Sequence, residues 1–208
     1  MAKKKSSSKA WLREHHSDAF VQMAQKEGYR SRACYKLLEL NERDHLFRSG
    51  MTVVDLGSAP GGWSQIAADK VGATGEVIAT DILPMDSIAG VTFFQGDFTE
   101  EEVFNSICGH LGGKKPDLVI SDMAPNLSGM KDIDQPRGIH LVELALDFAL
   151  NNLRLQGDFV AKVFQGEGFD DVLRVARRAF GTVHIRKPEA SRSRSREVYL
   201  VAKGLSSR

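Results

Sequence analysis

Apolar residues follow two different spacings along this chain. From residue 51 onward, short apolar runs bounded by glycine, proline or aspartate alternate with longer stretches whose apolar positions recur every three to four residues. The short runs predict strands at 52–56, 76–80, 91–95, 118–121, 159–164, 183–186 and 198–202. The longer stretches predict helices at 63–71, 100–111, 137–153 and 170–180. Upstream, the pattern predicts a helix over 17–26, opened by the Ser17/Asp18 cap signal and broken by Gly28. A second helix is predicted over 31–43, with Ala33, Leu37 and Leu40 on one face. Alternating strands and helices imply right-handed crossovers and a mostly parallel sheet with helices on both faces, an α/β fold. Little helical pattern separates the last two strands, which predicts an antiparallel hairpin.

Charges interrupt the apolar strands at three places. The run Asp158-Phe159-Val160-Ala161-Lys162-Val163-Phe164 is apolar within except for Lys162, and a lysine is almost never buried without a partner. Ser121-Asp122-Met123-Ala124-Pro125-Asn126 and Arg196-Glu197-Val198-Tyr199-Leu200 each set a carboxylate against an apolar strand. Asp122 follows the fourth strand and Lys162 lies toward the end of the fifth, so both reach the carboxyl edge of the sheet, where open α/β folds bind ligands. An antiparallel last strand starts at that edge and brings Glu197 to it. Two carboxylates and a lysine there are equipped for proton chemistry. The plainer reading of Lys162 is a strand-end lysine that snorkels to solvent.

The first strand runs into a glycine-rich turn and a helix start, Val53-Val54-Asp55-Leu56-Gly57-Ser58-Ala59-Pro60-Gly61-Gly62-Trp63-Ser64. Glycines permit a tight turn and close approach of a ligand to the backbone. The spacing is neither GxGxxG nor a Walker A loop, so a nucleoside ligand without a phosphate cradle fits better. Asp81 ends the second strand, where a carboxylate accepts both ribose hydroxyls. Asp97 ends the third, with Phe98 or Ile82 available to pack on a base. Taken singly, each aspartate reads better as a helix cap; the series at successive strand ends favours ligand binding.

Net charge is +1, but the first 50 residues hold 11 Lys/Arg against 6 Asp/Glu, and 186–196 hold five Lys/Arg against Glu189. Two basic patches on a near-neutral chain fit a polyanion bound on one face, with Lys9, Arg13, Arg30, Arg32, Arg192, Arg194 and Arg196 as phosphate contacts and Trp11 or Tyr29 as base-stacking rings, and fit equally a set of solvated surface charges with those rings packed among the N-terminal helices. Residues 1–10 are Lys/Ser-rich and read as a disordered basic tail. Cys34 and Cys108 form no CxxC, and the six histidines show no HxxxH or HExxH, so neither a disulfide framework nor a metal site is expected. No apolar run reaches membrane-spanning length and no secretory signal is present, so a cytoplasmic setting is the default expectation.

The motifs Asp-Leu-Gly-Ser-Ala-Pro-Gly-Gly-Trp-Ser, Ser-Asp-Met-Ala-Pro-Asn, Lys-Val-Phe-Gln-Gly and Ser-Arg-Ser-Arg-Glu resemble those of the FtsJ-type ribose 2′-O-methyltransferases. The similarity extends over about residues 11–202 and is nearest to bacterial members that methylate a uridine of 23S rRNA. The resemblance implies a Rossmann-like S-adenosylmethionine-dependent methyltransferase fold, with a seven-stranded, mostly parallel sheet and an antiparallel last strand. It implies a helical, RNA-facing segment at 11–50 and a methyltransferase domain at 51–208. It also implies a catalytic tetrad, Lys36, Asp122, Lys162 and Glu197, and S-adenosyl-L-methionine bound by Gly61, Trp63, Asp81, Asp97 and Asp122. Lys36 alone would read as a solvated helix lysine; the resemblance promotes it. The implied partner is 23S rRNA within the large ribosomal subunit, with the RNA contacts Arg30, Arg32, Arg192, Arg194 and Arg196, no metal, no membrane, and a monomeric enzyme. Two roles stay open for Lys162: general base toward the 2′-hydroxyl, or a retained ammonium that stabilises the developing alkoxide. A small-molecule methyltransferase explains the glycine loop and Asp81 but not the basic face or Lys162. A non-catalytic ribosome-assembly factor does not need an intact tetrad.

Overall fold

The computed structural model describes residues 18–125, 128–192 and 195–207. Six helices, α1 (Ala19–Glu27), α2 (Ala33–Asp44), α3 (Gly62–Val71), α4 (Glu101–Leu111), α5 (Lys131–Asn152) and α6 (Phe169–Ala179), accompany seven strands among these residues. The strands are β1 (Thr52–Leu56), β2 (Glu76–Asp81), β3 (Val91–Gln95), β4 (Leu118–Ser121), β5 (Asp158–Phe164), β6 (Phe180–Arg186) and β7 (Glu197–Leu205). They form one sheet in the order β3-β2-β1-β4-β5-β7-β6. The first five pair in parallel. β7 runs antiparallel to both β5 and β6, so the terminal hairpin inserts its second strand inside the sheet.

Successive strand residues point to opposite faces, and the core divides accordingly. Val54, Ile78, Val119 and Phe159 pack against α4, α5 and α6 on one face. Val53, Val77, Ile120, Val160 and Tyr199 pack against α2 and α3 on the other. Cys34, Leu37 and Leu40 of α2, with Leu46 after it, thus pack into this second layer. α1 begins where Asp18 accepts from the Phe20 N–H at 3.0 Å and ends at Gly28, whose φ of 75° suits the left-handed turn.

Two elements start three or more residues earlier than expected. α5 starts at Lys131, not 137, and carries Pro136 inside it. Proline normally disrupts a helix interior; here tertiary bonds hold the extra turns. Asp134 accepts from the Ser128 and Gly129 N–H groups, and Gln135 Nε2 donates to the carbonyls of Phe164 and Glu167. β6 starts at Phe180, three residues early, because Phe180 pairs with Leu205 and stacks on Phe159 at 6.4 Å.

Candidate active site

The carboxyl edge of β4 and β5 and the start of β7 bring four charges together. Val160 and Lys162, two apart on β5, share the face covered by α2 and α3. Register places Lys162 opposite Tyr199, and Glu197 lies two residues before Tyr199 on the same face. Lys162 Nζ sits 3.1 Å from Asp122 Oδ1 and donates to the Asp122 carbonyl at 2.6 Å. Lys36 reaches down from α2 and donates to Glu197 Oε1 at 2.5 Å. Tyr199 links the two pairs: its hydroxyl donates to Asp122 Oδ1 at 2.6 Å, and its ring lies 5.6 Å from the Lys36 ammonium. Both lysines are only 8 % exposed. The sequence called Lys36 a solvated residue on its own pattern; it is buried because it lies four residues before Leu40 and three after Ala33, on the packed stripe.

Burial raises the pKa of Asp122, but the charges of Lys162 and Lys36 and the Tyr199 hydrogen bond outweigh it and hold the carboxyl below its usual value. Glu197 behaves alike, burial raising it and Lys36 then pulling it below its usual value. Burial, followed by Asp122 and Glu197, raises Tyr199 well above its usual value, so it stays a neutral donor. Two ionised acids are therefore each paired with a lysine, and Lys36, Lys162 and Glu197 line a cavity of about 470 Å³ together with Arg32, Phe164 and Arg192. Lys187 steadies its rim by donating to the carbonyls of Ser195 and Glu197, each at 2.6 Å.

The basic residues divide by environment. Arg192 borders the cavity, its guanidinium 4.0 Å from Asp18. Arg32 pairs with Asp18 and donates to the Ala190 carbonyl. Arg196 is exposed, its carbonyl accepting from Gln165 N–H at 3.0 Å. Arg30 lies apart from the cavity, against main-chain carbonyls beside the glycine loop. Tyr29 packs edge-on against Tyr35 at 5.7 Å, a core contact. Lys9, Trp11, Arg13, Arg194 and the 1–10 tail lie outside the described residues.

The second half of the site lies along β1, β2 and β3. Gly57 and Gly61 hold φ of 75° and 103°, the left-handed region. A Cβ at Gly57 would meet Met123 Cγ at 2.1 Å, and one at Gly61 would meet Ile88 Cδ1 at 2.7 Å. Asp81 accepts from the Ala59 N–H at 2.9 Å and from the Leu83 N–H at 2.8 Å. A carboxylate has about four acceptor positions, so two remain for a ribose diol. Asp97 turns back onto Thr99, accepting from its N–H at 2.9 Å and hydroxyl at 2.7 Å. Ile82, 65 % exposed, flanks Asp81, whereas Phe98 is turned into the core at 6.0 Å from Phe148 and offers no stacking face. The Trp63 ring is also buried; its indole donates to the Ala33 carbonyl at 2.9 Å and it lies 5.6 Å from Tyr199. Trp63 therefore joins the glycine loop to α2, and what it offers a ligand is its main-chain N–H in the first turn of α3, which has no partner within the helix.

These residues suit S-adenosyl-L-methionine. Carboxylates at successive strand ends match ribose hydroxyls and an adenine amino group, glycine turns admit the backbone close to the ligand, and no phosphate cradle is needed. Two members of the site escaped the sequence reading. Tyr199 was signalled by its spacing from Glu197. Asp55 carried the same signature as Lys162, a charge inside an apolar strand. Asp55 is fully buried; Ser64 Oγ donates to its Oδ2 at 2.6 Å, and Oδ1 has no partner among the described residues. Burial, then Asp122 and Asp81, push this carboxyl up to about 7 against the downward pull of the Ser64 bond. Among the described residues no group of three or more His, Cys, Asp or Glu is placed to hold a metal ion, and no helix is long and apolar enough to cross a membrane.

A sequence model of the FtsJ-like methyltransferases matches residues 29–205. The chain is 62% identical to a ribosomal RNA large subunit methyltransferase E of Hahella chejuensis over 204 residues, 98% of each chain. It is 64% identical to the protein of the same name from Chromohalobacter salexigens, covering 95% of this chain and 94% of that one. Among solved structures, a ribosomal RNA methyltransferase of Plasmodium falciparum superposes with a TM-score of 0.76 at 28% identity, covering 86% of this chain and all of its own.

Proposed function

Because this chain belongs to the FtsJ-like methyltransferase family, we propose that it transfers a methyl group from S-adenosyl-L-methionine to the ribose 2′-hydroxyl of a uridine in 23S rRNA, within the large ribosomal subunit. The observation that carries this reading is Lys162, buried on β5 between Asp122 and the Lys36–Glu197 pair. The cofactor, when bound, supplies a methyl group already activated on a sulfonium. What remains for the protein is to position the hydroxyl and manage its proton, and positioning alone lowers such barriers by several kcal/mol.

Each residue then has a stated task. Asp122 fixes the Lys162 ammonium or amine through its carbonyl and carboxylate, which leaves the remaining position on Nζ for the 2′-hydroxyl. Glu197 fixes Lys36, which faces the target ribose or its phosphate. Asp81 and Asp97 hold the nucleoside, Gly61 and Trp63 the remainder of the cofactor through the backbone. Arg32, Arg192, Arg194 and Arg196 meet RNA phosphates around the cavity. The enzyme acts as a monomer in the compartment where ribosomes mature. The two roles open to Lys162 part with pH: a base turns over faster as pH rises, whereas a required ammonium fails at alkaline pH.

The test is transfer of labelled methyl to large subunits from a strain lacking this protein, to free 23S rRNA and to a no-RNA control, with wild type and Lys162→Ala. Label at a nuclease-resistant ribose in the subunit, absent with the variant, is the expected result. Cofactor binding without label in any RNA would overturn the proposal.

A further inference from the structure

Arg30 sits two residues before Arg32 in the basic segment, yet its surroundings are those of a clamp. Nη1 donates to the Asp86 carbonyl at 2.7 Å and the Pro60 carbonyl at 3.3 Å, and Nη2 donates to the Ser87 carbonyl at 2.7 Å. Pro60 belongs to the glycine loop; Asp86 and Ser87 belong to the connection that follows Asp81. One planar guanidinium, with five donors in a fixed fork, therefore ties together the two chain segments that carry Gly61 and Asp81. The same turn is pinned from the other side. Arg30 N–H donates to Gln65 Oε1 at 3.2 Å, and Gln65 Nε2 returns a bond to the Gly28 carbonyl at 3.0 Å. Gly61 is packed beneath this clamp: a Cβ there would lie 3.2 Å from Arg30 Cδ and 2.9 Å from Met85 Sδ. Arg32, by contrast, lines the catalytic cavity.

We propose that Arg30 is a positioning residue for the cofactor cleft, holding the glycine loop against the connection after Asp81, and not an RNA contact. The proposal rests on the methyltransferase reading and concerns how that site is kept in shape. The three carbonyls it binds come from two separate segments, so charge alone does not suffice; the forked geometry does the holding. A lysine is a point donor on a flexible stem and cannot span both segments. A phosphate contact has the opposite requirement, since a lysine preserves the charge that releases counterions.

Arg30→Lys and Arg30→Ala are therefore compared with wild type in two assays. Calorimetric binding of S-adenosylhomocysteine needs no RNA and no turnover, so it reads the clamp even if the RNA substrate is misassigned. Steady-state transfer to large subunits gives separate KM values for S-adenosylmethionine and for subunits, the latter at several salt concentrations. Both variants should weaken S-adenosylhomocysteine binding and raise the KM for S-adenosylmethionine about five- to tenfold. The subunit KM and its salt slope should match wild type. Three results would each overturn the proposal: wild-type cofactor affinity in both variants; a salt slope in Arg30→Ala reduced by about 0.7–0.9; or full recovery of cofactor binding by Arg30→Lys. Thermal melting of each variant without ligand separates loss of the clamp from loss of the fold.

Discussion

The two halves of the sheet edge hold charge in opposite ways. Around β4, β5 and β7, two acids and two lysines are matched, and each makes an ion pair. Around β1, β2 and β3, the acids Asp55, Asp81 and Asp97 form no ion pair among the described residues; main-chain N–H groups and hydroxyls hold them instead. The matched half keeps its acids ionised inside the protein. The unmatched half holds its acids with hydrogen bonds alone, an arrangement that suits the hydroxyl and amino groups of a nucleoside. The difference teaches that one sheet edge can hold acids in two ways, by matching them with lysines or by surrounding them with N–H and O–H donors.

The largest expected effect follows from that separation. Lys162→Met should lower kcat by about 10³-fold or more, within the range of a lost acid–base group and its charge stabilisation combined. Affinity for S-adenosylhomocysteine should stay within about twofold, because Asp122 keeps Tyr199 and Lys36 as partners. Calorimetry beside single-turnover transfer checks both. A parallel loss of cofactor affinity would mean that the halves are not separable.

Next comes the acid with no cation. In the unfolded chain Asp55 ionises near 4, whereas burial delays this in the folded protein to about 7. Between those values the folded state holds the extra proton, so this group's contribution to stability falls as pH rises and its cost is complete above 7. Asp55→Asn keeps the shape and removes the titration. It should raise stability at pH 8 by at most about 4 kcal/mol, and by only about a third of that at pH 5. Melting temperature against pH checks the sign; a variant offset that is equal at both pH values would show that Asp55 does not titrate on folding.

How much of this was legible depended on whether a residue's role was local. Lys162 and Glu197 stood out as charges against apolar strands, and the strand–helix alternation implied a mostly parallel sheet, so the carboxyl edge was predictable, whereas the strand order came only from the structure. Lys36 looked solvated because a helix stripe was read from its apolar members alone, without asking which polar residue shared it. Tyr199 passed as an ordinary strand aromatic; only register across β5 shows it between the two ion pairs. Phe98 stood in the right place in the chain but faces the core, since a ring after a strand end has two directions open and packing against Phe148 chose one. The first turns of α5 were hidden by Pro136, whose local preference is overridden by Gln135 bonds reaching residues 29 and 32 positions away.

A smaller effect probes the hydrogen-bonded half directly. Asp81→Ala removes both the ribose acceptor and the bond that fixes Ala59. It should weaken S-adenosylhomocysteine binding about tenfold to a hundredfold, the scale of one or two lost hydrogen bonds to a charged group. The kcat at saturating cofactor should fall much less. An unchanged dissociation constant would return Asp81 to the role of a turn cap and leave that half without its ribose acceptor.

The smallest effect lies at the rim, where neither half does its chemistry. Arg192 is half-buried and 4.0 Å from Asp18, so the RNA contact proposed for it would come from a cation partly neutralised by its own protein. Replacing Arg192 and Arg194 together by glutamine should raise the subunit KM severalfold and flatten its salt dependence by about one to two in the log–log slope. Cofactor affinity and kcat should hold, because neither ion pair of the tetrad includes these residues. The expected pattern is then complete: Lys162 moves kcat, Asp81 moves cofactor affinity, and the arginines move salt dependence. A wild-type slope in the double variant would remove Arg192 and Arg194 from the RNA surface and leave Arg32, Arg196 and the tetrad lysines as its cationic contacts.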